Sequence, residues 1–220
     1  MPPLPTDSPF RATRDERRAS LSLLFLPQME DLLIGQRYSD LSIDRLAAAV
    51  KISRASFYRY FDDKGDLLLQ MLGHVSDDLL GAGDAWWNLP RTATKDELRN
   101  AHRAIVGVYR RHRLVLRTVV EVSGYDEDVH AVFEELVSNS VDQVAAHISL
   151  GQQEGFIAPH LDARATAELL VYMGERSLYR IIGIANETRD ARYPDPLAEI
   201  YWRTLYEGYR DPSIGSKNGP

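Results

Sequence analysis

Apolar residues recur with the helical period near 3.6 along almost the whole chain, and nowhere do they alternate with polar ones as a strand requires. The pattern predicts an all-α protein of about nine helices. The first should run from Asp15 to Gly35, although Pro27 removes one hydrogen bond and crowds the turn before it. A kink is expected there, or a break that makes Pro27 the first residue of a second piece. Ser42 is a natural N-cap for a helix whose Ile43, Leu46, Ala47 and Val50 share one face. Ser53 caps the next helix, in which Phe57 and Phe61 sit one turn apart and can pack inward. Asp63 can cap a helix from Lys64 to Trp87, with the stripe Leu67, Leu68, Met71, Leu72, Val75 and Leu79. Thr94 and Glu97 make a capping box for a helix to Arg111; a short helix then covers Leu114 to Ser123 and a long one Asp126 to Glu154. Gly155 to Leu161 interrupts the pattern, Asp162 caps a helix to Ala185, and after a loop over 186–196 a last helix runs from Leu197 to Tyr209. Residues 1–13 and 211–220 read as disordered tails, 14–63 as a small N-terminal domain and 64–210 as a larger one.

The segment from Ser42 to Lys64 has the outline of a DNA-reading helix-turn-helix. If Phe57 and Phe61 face inward, the other side chains of their short helix must face outward. Arg54, Ala55, Ser56, Tyr58 and Arg59 then form a surface of cation, hydroxyl and small apolar groups, the mixture that a major groove reads. A surface hairpin with solvated arginines is the plain alternative. A solvent face, however, usually mixes Glu with Lys, whereas no acid lies between Lys51 and Phe61 and two tyrosines stand beside the arginines.

A chain of 220 residues with 44% hydrophobic and 26% charged residues is an ordinary globular protein. Its formal net charge of -6 would seem to oppose a polyanionic partner. The distribution removes that objection: up to Lys64 there are ten Lys and Arg against nine Asp and Glu, so the acid excess lies in the remainder. Arg11, Arg14, Arg17 and Arg18 add a basic entry arm suited to phosphate contacts. The absence of cysteine excludes disulfides, thiolate metal sites and a cysteine nucleophile, and suits a reducing cytoplasm. The N-terminus lacks the apolar core of a secretory signal, and no run approaches the roughly 20 apolar residues that span a bilayer. A cytoplasmic protein without membrane, metal or cofactor is expected. The six histidines form no HExxH pair, and no GxSxG, GxxxxGK[ST] or GxGxxG motif occurs, so an enzyme is not expected either.

The run S-x-x-S-F-Y-x-Y-F-x-x-K from Ser53 to Lys64, with DDKGDLL opening the connecting helix and apolar helices after it, resembles the TetR/AcrR family of transcriptional regulators. A weaker similarity, in EGFIAP and in MGERSLYRIIG from Met173 to Gly183, is to the branch that includes the mycobacterial regulator of ethionamide activation. The resemblance implies a homodimer whose N-terminal units dock in successive major grooves of a palindromic double-stranded DNA operator. The C-terminal halves would supply the dimer contact and a cavity for an apolar small-molecule effector. Repression relieved by ligand is that family's usual mode, and activation is not excluded by the residues. By carry-over, Arg54, Ala55, Ser56 and Tyr58 would approach bases and backbone, and Tyr60 and Lys64 would hold phosphates, with Ser53 and Arg59 beside them and Arg45 on the preceding helix. The family usually has glycine at the turn where this chain has Lys51. A left-handed conformation there would cost on the order of 1 kcal/mol, with Lys51 gaining a phosphate contact in return.

For the cavity, the resemblance implies Ile105, Tyr109, Phe133, Val137, Ser140, Val144, Val171, Gly174, Glu175, Leu178, Tyr179 and Tyr201 as lining residues. The aliphatic members could equally be core, since any helical bundle has such stripes. Glu175 lies in an apolar stretch, so that Arg176, Arg180 or a tyrosine pairs with it, or else it orients a ligand. Gly174 replaces a larger polar residue of the resembled branch, so that branch's ligand does not transfer. For the dimer, the last two helices would meet their symmetry mates through Leu170, Met173, Ser177, Trp202, Leu205 and Tyr206. The competing readings are an enzyme and a helical protein-interaction module that has lost DNA binding.

Overall fold

The computed structural model describes residues 13–183 and 193–207, which form ten α-helices and no strand. The chain divides into two compact units, Met1–Met71 and Leu72–Pro220.

In the first unit, Thr13 and Glu16 form a capping box on α1 (Arg14–Phe25). Pro27 then breaks the helix. A 3-10 turn, Leu26–Gln28, carries the proline in its first turn, where no N–H is needed, and α2 (Met29–Leu33) follows. The Ser42 hydroxyl accepts from the backbone N–H of Arg45 at 3.2 Å to open α3 (Ile43–Ala49). Ser53 does the same for Ser56 at 3.0 Å to open α4 (Arg54–Tyr60). Between them Lys51 sits at φ 59, the left-handed conformation that favours glycine. Phe25, Phe57 and Phe61 are fully buried and pack mutually, with ring centroids 6.4 Å, 6.0 Å and 5.3 Å apart.

The helix α5 (Lys64–Trp87) begins within this unit. Asp63 accepts from the Asp66 N–H at 2.8 Å, Asp66 pairs with Arg18, and the Tyr38 hydroxyl donates to the Lys64 carbonyl at 2.8 Å. Leu67, Leu68 and Met71 are fully buried. Those ties are why the units part after Met71, inside α5, and not at its first residue.

The second unit holds the rest of α5 with α6 (Lys95–Arg111), α7 (Arg113–Val122), α8 (Glu127–Gln153), α9 (Ala163–Leu178) and α10 (Pro194–Leu205). The Thr94–Glu97 capping box opens α6, and Asp126 and Asp162 cap α8 and α9. A π-helical stretch, Tyr179–Gly183, continues α9. The last helix starts at Pro194, three residues before the position expected from Leu197, because proline is favourable in a first helical turn. Residues 1–12, 184–192 and 208–220 lie outside the described residues, and with them most of the expected tails at 1–13 and 211–220 and of the expected loop over 186–196, and the expected helix ends at Ala185 and Tyr209. No helix among the described residues is long and apolar enough to cross a membrane.

Two histidines are buried in this unit. His147 Nδ1 donates to the Trp87 carbonyl at 2.8 Å, which leaves its Nε2 to accept from the Tyr206 hydroxyl at 2.7 Å. His102 Nδ1 donates to the Leu98 carbonyl at 3.0 Å. Burial lowers the His102 ring from its ordinary 6.5 to about 4, and it lowers His147 as well.

Two outcomes are expected. Lys51→Gly should raise stability by about 1 kcal/mol by relieving the left-handed backbone, seen as a higher urea midpoint with an unchanged slope. An unmoved midpoint would show that the turn carries no strain. The unfolded chain binds protons on both histidines that the folded chain refuses. Stability is therefore fully present at neutral pH and is lost as pH falls from about 6.5 towards about 4, with about 3 kcal/mol from His102 alone. Denaturant midpoints in His102→Leu should fall less steeply over that interval than in the parent.

Candidate nucleic-acid interface and internal cavity

Because Phe57 and Phe61 are completely buried, the opposite side of α4 is turned to solvent. Arg54, Ala55, Tyr58 and Arg59 are exposed, Ser56 and Tyr60 half-buried, and Ser53 and Lys51 exposed at the turn. The face is already ordered. Arg54 donates to Asp44 at 3.0 Å and to the Tyr58 hydroxyl at 3.3 Å, with its guanidinium 5.4 Å from the centre of the Tyr58 ring. Tyr58 in turn packs edge-on against Phe57, 5.8 Å between centroids, so the buried aromatic cluster supports the exposed one. Arg45 is exposed on α3 and donates to the Gln36 side chain at 3.1 Å. From α1, Arg14 donates to the Arg59 carbonyl at 3.1 Å and stays exposed, while Arg18 is occupied by Asp66.

Lys64 is placed differently from its expected phosphate role. Its ammonium donates to the carbonyls of Ser39 at 2.6 Å, Leu41 at 2.8 Å and Tyr38 at 3.4 Å, which uses all three of its donors. It closes the 3-10 turn Tyr38–Asp40 onto the start of α5.

The second unit contains a cavity of about 130 Å³. Ile105 and Tyr109 line it from α6; Phe133, Val137, Ser140 and Val144 from α8; Val171, Gly174, Glu175 and Leu178 from α9; Tyr201 from α10. Tyr179 does not line it. One residue beyond Leu178, it is turned by about 100° from that face, and its ring packs under the Arg176 guanidinium at 5.6 Å. Gly174 is dictated by close approach, because a Cβ there would stand 2.7 Å from the Tyr201 hydroxyl, which donates to the Leu170 carbonyl at 2.6 Å.

Leu79, Gly83, Trp86 and Trp87 of α5, His102 of α6, Leu116, Leu136 and Leu197 complete the wall. Two of these sets were readable by spacing: Leu79, Gly83, Trp86 and Trp87 share one face of α5, and His102 stands on the Ile105–Tyr109 face of α6. The His102 ring lies 4.6 Å from that of Tyr201 and 5.2 Å from that of Trp86. Glu175 has no hydrogen bond or ion pair among the described residues. Burial raises its carboxyl above the usual range, Arg176 acts in the opposite sense, and Glu134 adds to the rise. Burial first, then the nearby Glu175 charge, raises the Tyr109 hydroxyl.

The residues expected at a dimer contact are mostly committed within the chain. Leu170, Leu205 and Tyr206 are buried in the core of the second unit, and Met173 and Trp202 pack against that core. Ser177 lies against Tyr193. A side chain already 1% exposed, as Leu205 is, has no area left to bury against a second copy. The open apolar groups of these helices are Leu169 at 72%, Tyr172 at 51% and Ile200 at 45% exposure. On α9, Leu169 lies on the side opposite the cavity, and Tyr172, three residues before Glu175, lies at the edge between the two sides.

Residues 98–207 match the C-terminal domain of the transcriptional regulator EthR, and residues 30–71 match the bacterial regulatory proteins of the tetR family. The HTH-type transcriptional regulator EthR of Mycobacterium tuberculosis is 27% identical over 201 residues, which cover 89% of this chain and 90% of that protein. Its namesake in Mycolicibacterium smegmatis is 25% identical over 172 residues, 76% of each chain. Among solved structures, a transcriptional regulator from Saccharomonospora viridis in complex with choline superposes with a TM-score of 0.68 at 16% identity, covering 86% of this chain and 99% of that one. The regulatory protein TetR from Rhodobacter sphaeroides gives 0.65 at 19% identity, over 85% and 98% of the two chains. These relatives are regulators and not enzymes. With both halves matched in sequence and the fold shared, the chain belongs to the TetR family of bacterial transcriptional regulators, with an EthR-type C-terminal domain and a helix-turn-helix at its N-terminus.

Proposed function

We propose that this regulator is a cytoplasmic homodimeric repressor that reads a palindromic operator with α4 and is released when a small molecule enters the cavity of its second unit. The observation that carries the reading is the division of α4 into a fully buried Phe57–Phe61 side and an exposed Arg54–Ala55–Tyr58–Arg59 side. Arg54 and Tyr58 are the base-reading pair, held together before any contact is made. Ser53, Ser56 and Tyr60, with Lys51, Arg45 and Arg14, serve the backbone, where each phosphate contact adds to affinity and to its salt dependence. Lys64 is not among them, its donors being engaged at home.

The dimer contact is formed by the outer side of α9 and by α10, centred on Leu169, Tyr172 and Ile200. Release is a population shift. The helix α5 has Leu79, Gly83, Trp86 and Trp87 in the cavity wall and runs unbroken from Lys64, so an occupant that displaces its later turns biases the spacing of two reading heads. Heads that no longer match grooves about 34 Å apart lose the operator. The choline complex of a regulator with this fold supports a small-molecule occupant.

Gel-shift titration with the DNA upstream of the protein's own gene tests the reading. Arg54→Ala and Tyr58→Ala should each weaken binding by roughly tenfold or more and leave the dimer intact. Parent-like binding by both variants would remove α4 from the interface. Leu169→Asp should give a monomer by analytical ultracentrifugation with an unchanged helical spectrum. A persistent dimer would place the contact elsewhere.

A further inference from the structure

The cavity wall is lopsided in its chemistry. His102 is 2% exposed, and its Nδ1 is committed to the Leu98 carbonyl of its own helix. The tautomer is thereby fixed: Nε2, on the far side of the ring from the α6 backbone, carries a lone pair, is buried and has no hydrogen-bond partner. That atom has no surface open to the cavity, so the ring offers an occupant neither an N–H nor a lone pair.

Glu175, also in the wall, adds a carboxylate without a hydrogen bond or ion pair among the described residues, and none of the described lysines and arginines lines the cavity. The remaining polar groups shift the balance further towards acceptors. The Ser140 hydroxyl donates to the Leu136 carbonyl at 3.1 Å and that of Tyr201 to the Leu170 carbonyl, so neither has a hydrogen left to give an occupant. Trp87 Nε1 donates to Asp84 at 2.8 Å, and Trp86 Nε1 is buried without an acceptor and without surface open to the cavity. The Tyr109 hydroxyl can give or take. Along α6, His102 and Tyr109 are seven residues apart on one face, about 10 Å by helical rise, with Ile105 between them.

We propose that the effector of this cavity is a small amine, a single aromatic or alicyclic body whose protonated nitrogen is held by Glu175. Carboxylates and acyl anions are excluded, since they would meet a carboxylate with no cation to receive them. The size agrees: an apolar cavity of about 150 Å³ admits benzene, and this one measures about 130 Å³. The assignment as effector rests on the reading of the protein as a ligand-released repressor; the ligand chemistry does not.

Calorimetric titration of the full-length protein with four near-isosteres, namely benzylamine, benzyl alcohol, toluene and benzoate, tests it. Benzylamine should bind tightest and benzoate least, with benzyl alcohol and toluene between them. Glu175→Gln should bring benzylamine down roughly tenfold, to the level of benzyl alcohol. Equal binding of toluene and benzylamine, a preference for benzoate, an order unchanged in Glu175→Gln or no binding by any of the four would overturn the proposal. Glu175→Gln is a neutral isostere at a half-buried position and keeps the fold, which its helical spectrum checks. The same compounds added to the operator complex separate the two ideas. An amine that binds in the predicted order but leaves operator affinity unchanged would overturn the effector reading and leave the cavity chemistry standing.

Discussion

The edge-to-face packing of Phe25 against Phe57 and Phe61 is the interaction from which the N-terminal unit takes its function. A helix as short as α4, seven residues, has little stability of its own, so its rotation about its axis is set by what it buries. Removing two large rings from water contributes several kcal/mol, on the order of 2 to 3 for each, far more than any surface contact on the other side. The rings therefore decide which way Arg54 and Tyr58 point. The Tyr58 ring, packed edge-on against Phe57, transmits that decision directly to the exposed face.

Around this core the local chemistry is consistent with the same answer. Ser42 and Ser53 cap the two helices, and Lys64 ties the 3-10 turn at Tyr38 to the start of α5. Among the described residues Lys51 alone has a left-handed backbone, φ 59, without being glycine. The turn is over-determined by the packing on either side of it, so the chain tolerates about 1 kcal/mol of strain there. The strained residue is exposed, two positions before the residue that caps the reading helix.

Much of this was legible in the residues because the signals were local. Capping residues marked the starts of α3, α4, α6, α8 and α9, and the 3.6-residue stripes gave the inward faces. Most of the expected cavity residues do line the cavity, because a stripe on each of several helices converges on one interior. What was not legible depended on tertiary detail. Periodicity alone does not say which of Leu170 and Leu169 faces inward at the margin of a stripe, and the first is buried and the second open. Lys64 looked like a free cation until the carbonyls of Ser39 and Leu41, more than twenty residues away in sequence, were brought to it. The role of His102 depended on knowing that its Nδ1 folds back on its own helix.

The account stands on the outward face of α4 meeting duplex DNA. A photoreactive phenylalanine analogue in place of Tyr58, irradiated in a complex with the operator duplex, tests it most directly, with the same analogue at Leu169 as the control. Adducts to bases from position 58 and none from position 169 are predicted. A bound duplex that yields no adduct from position 58 would contradict the account.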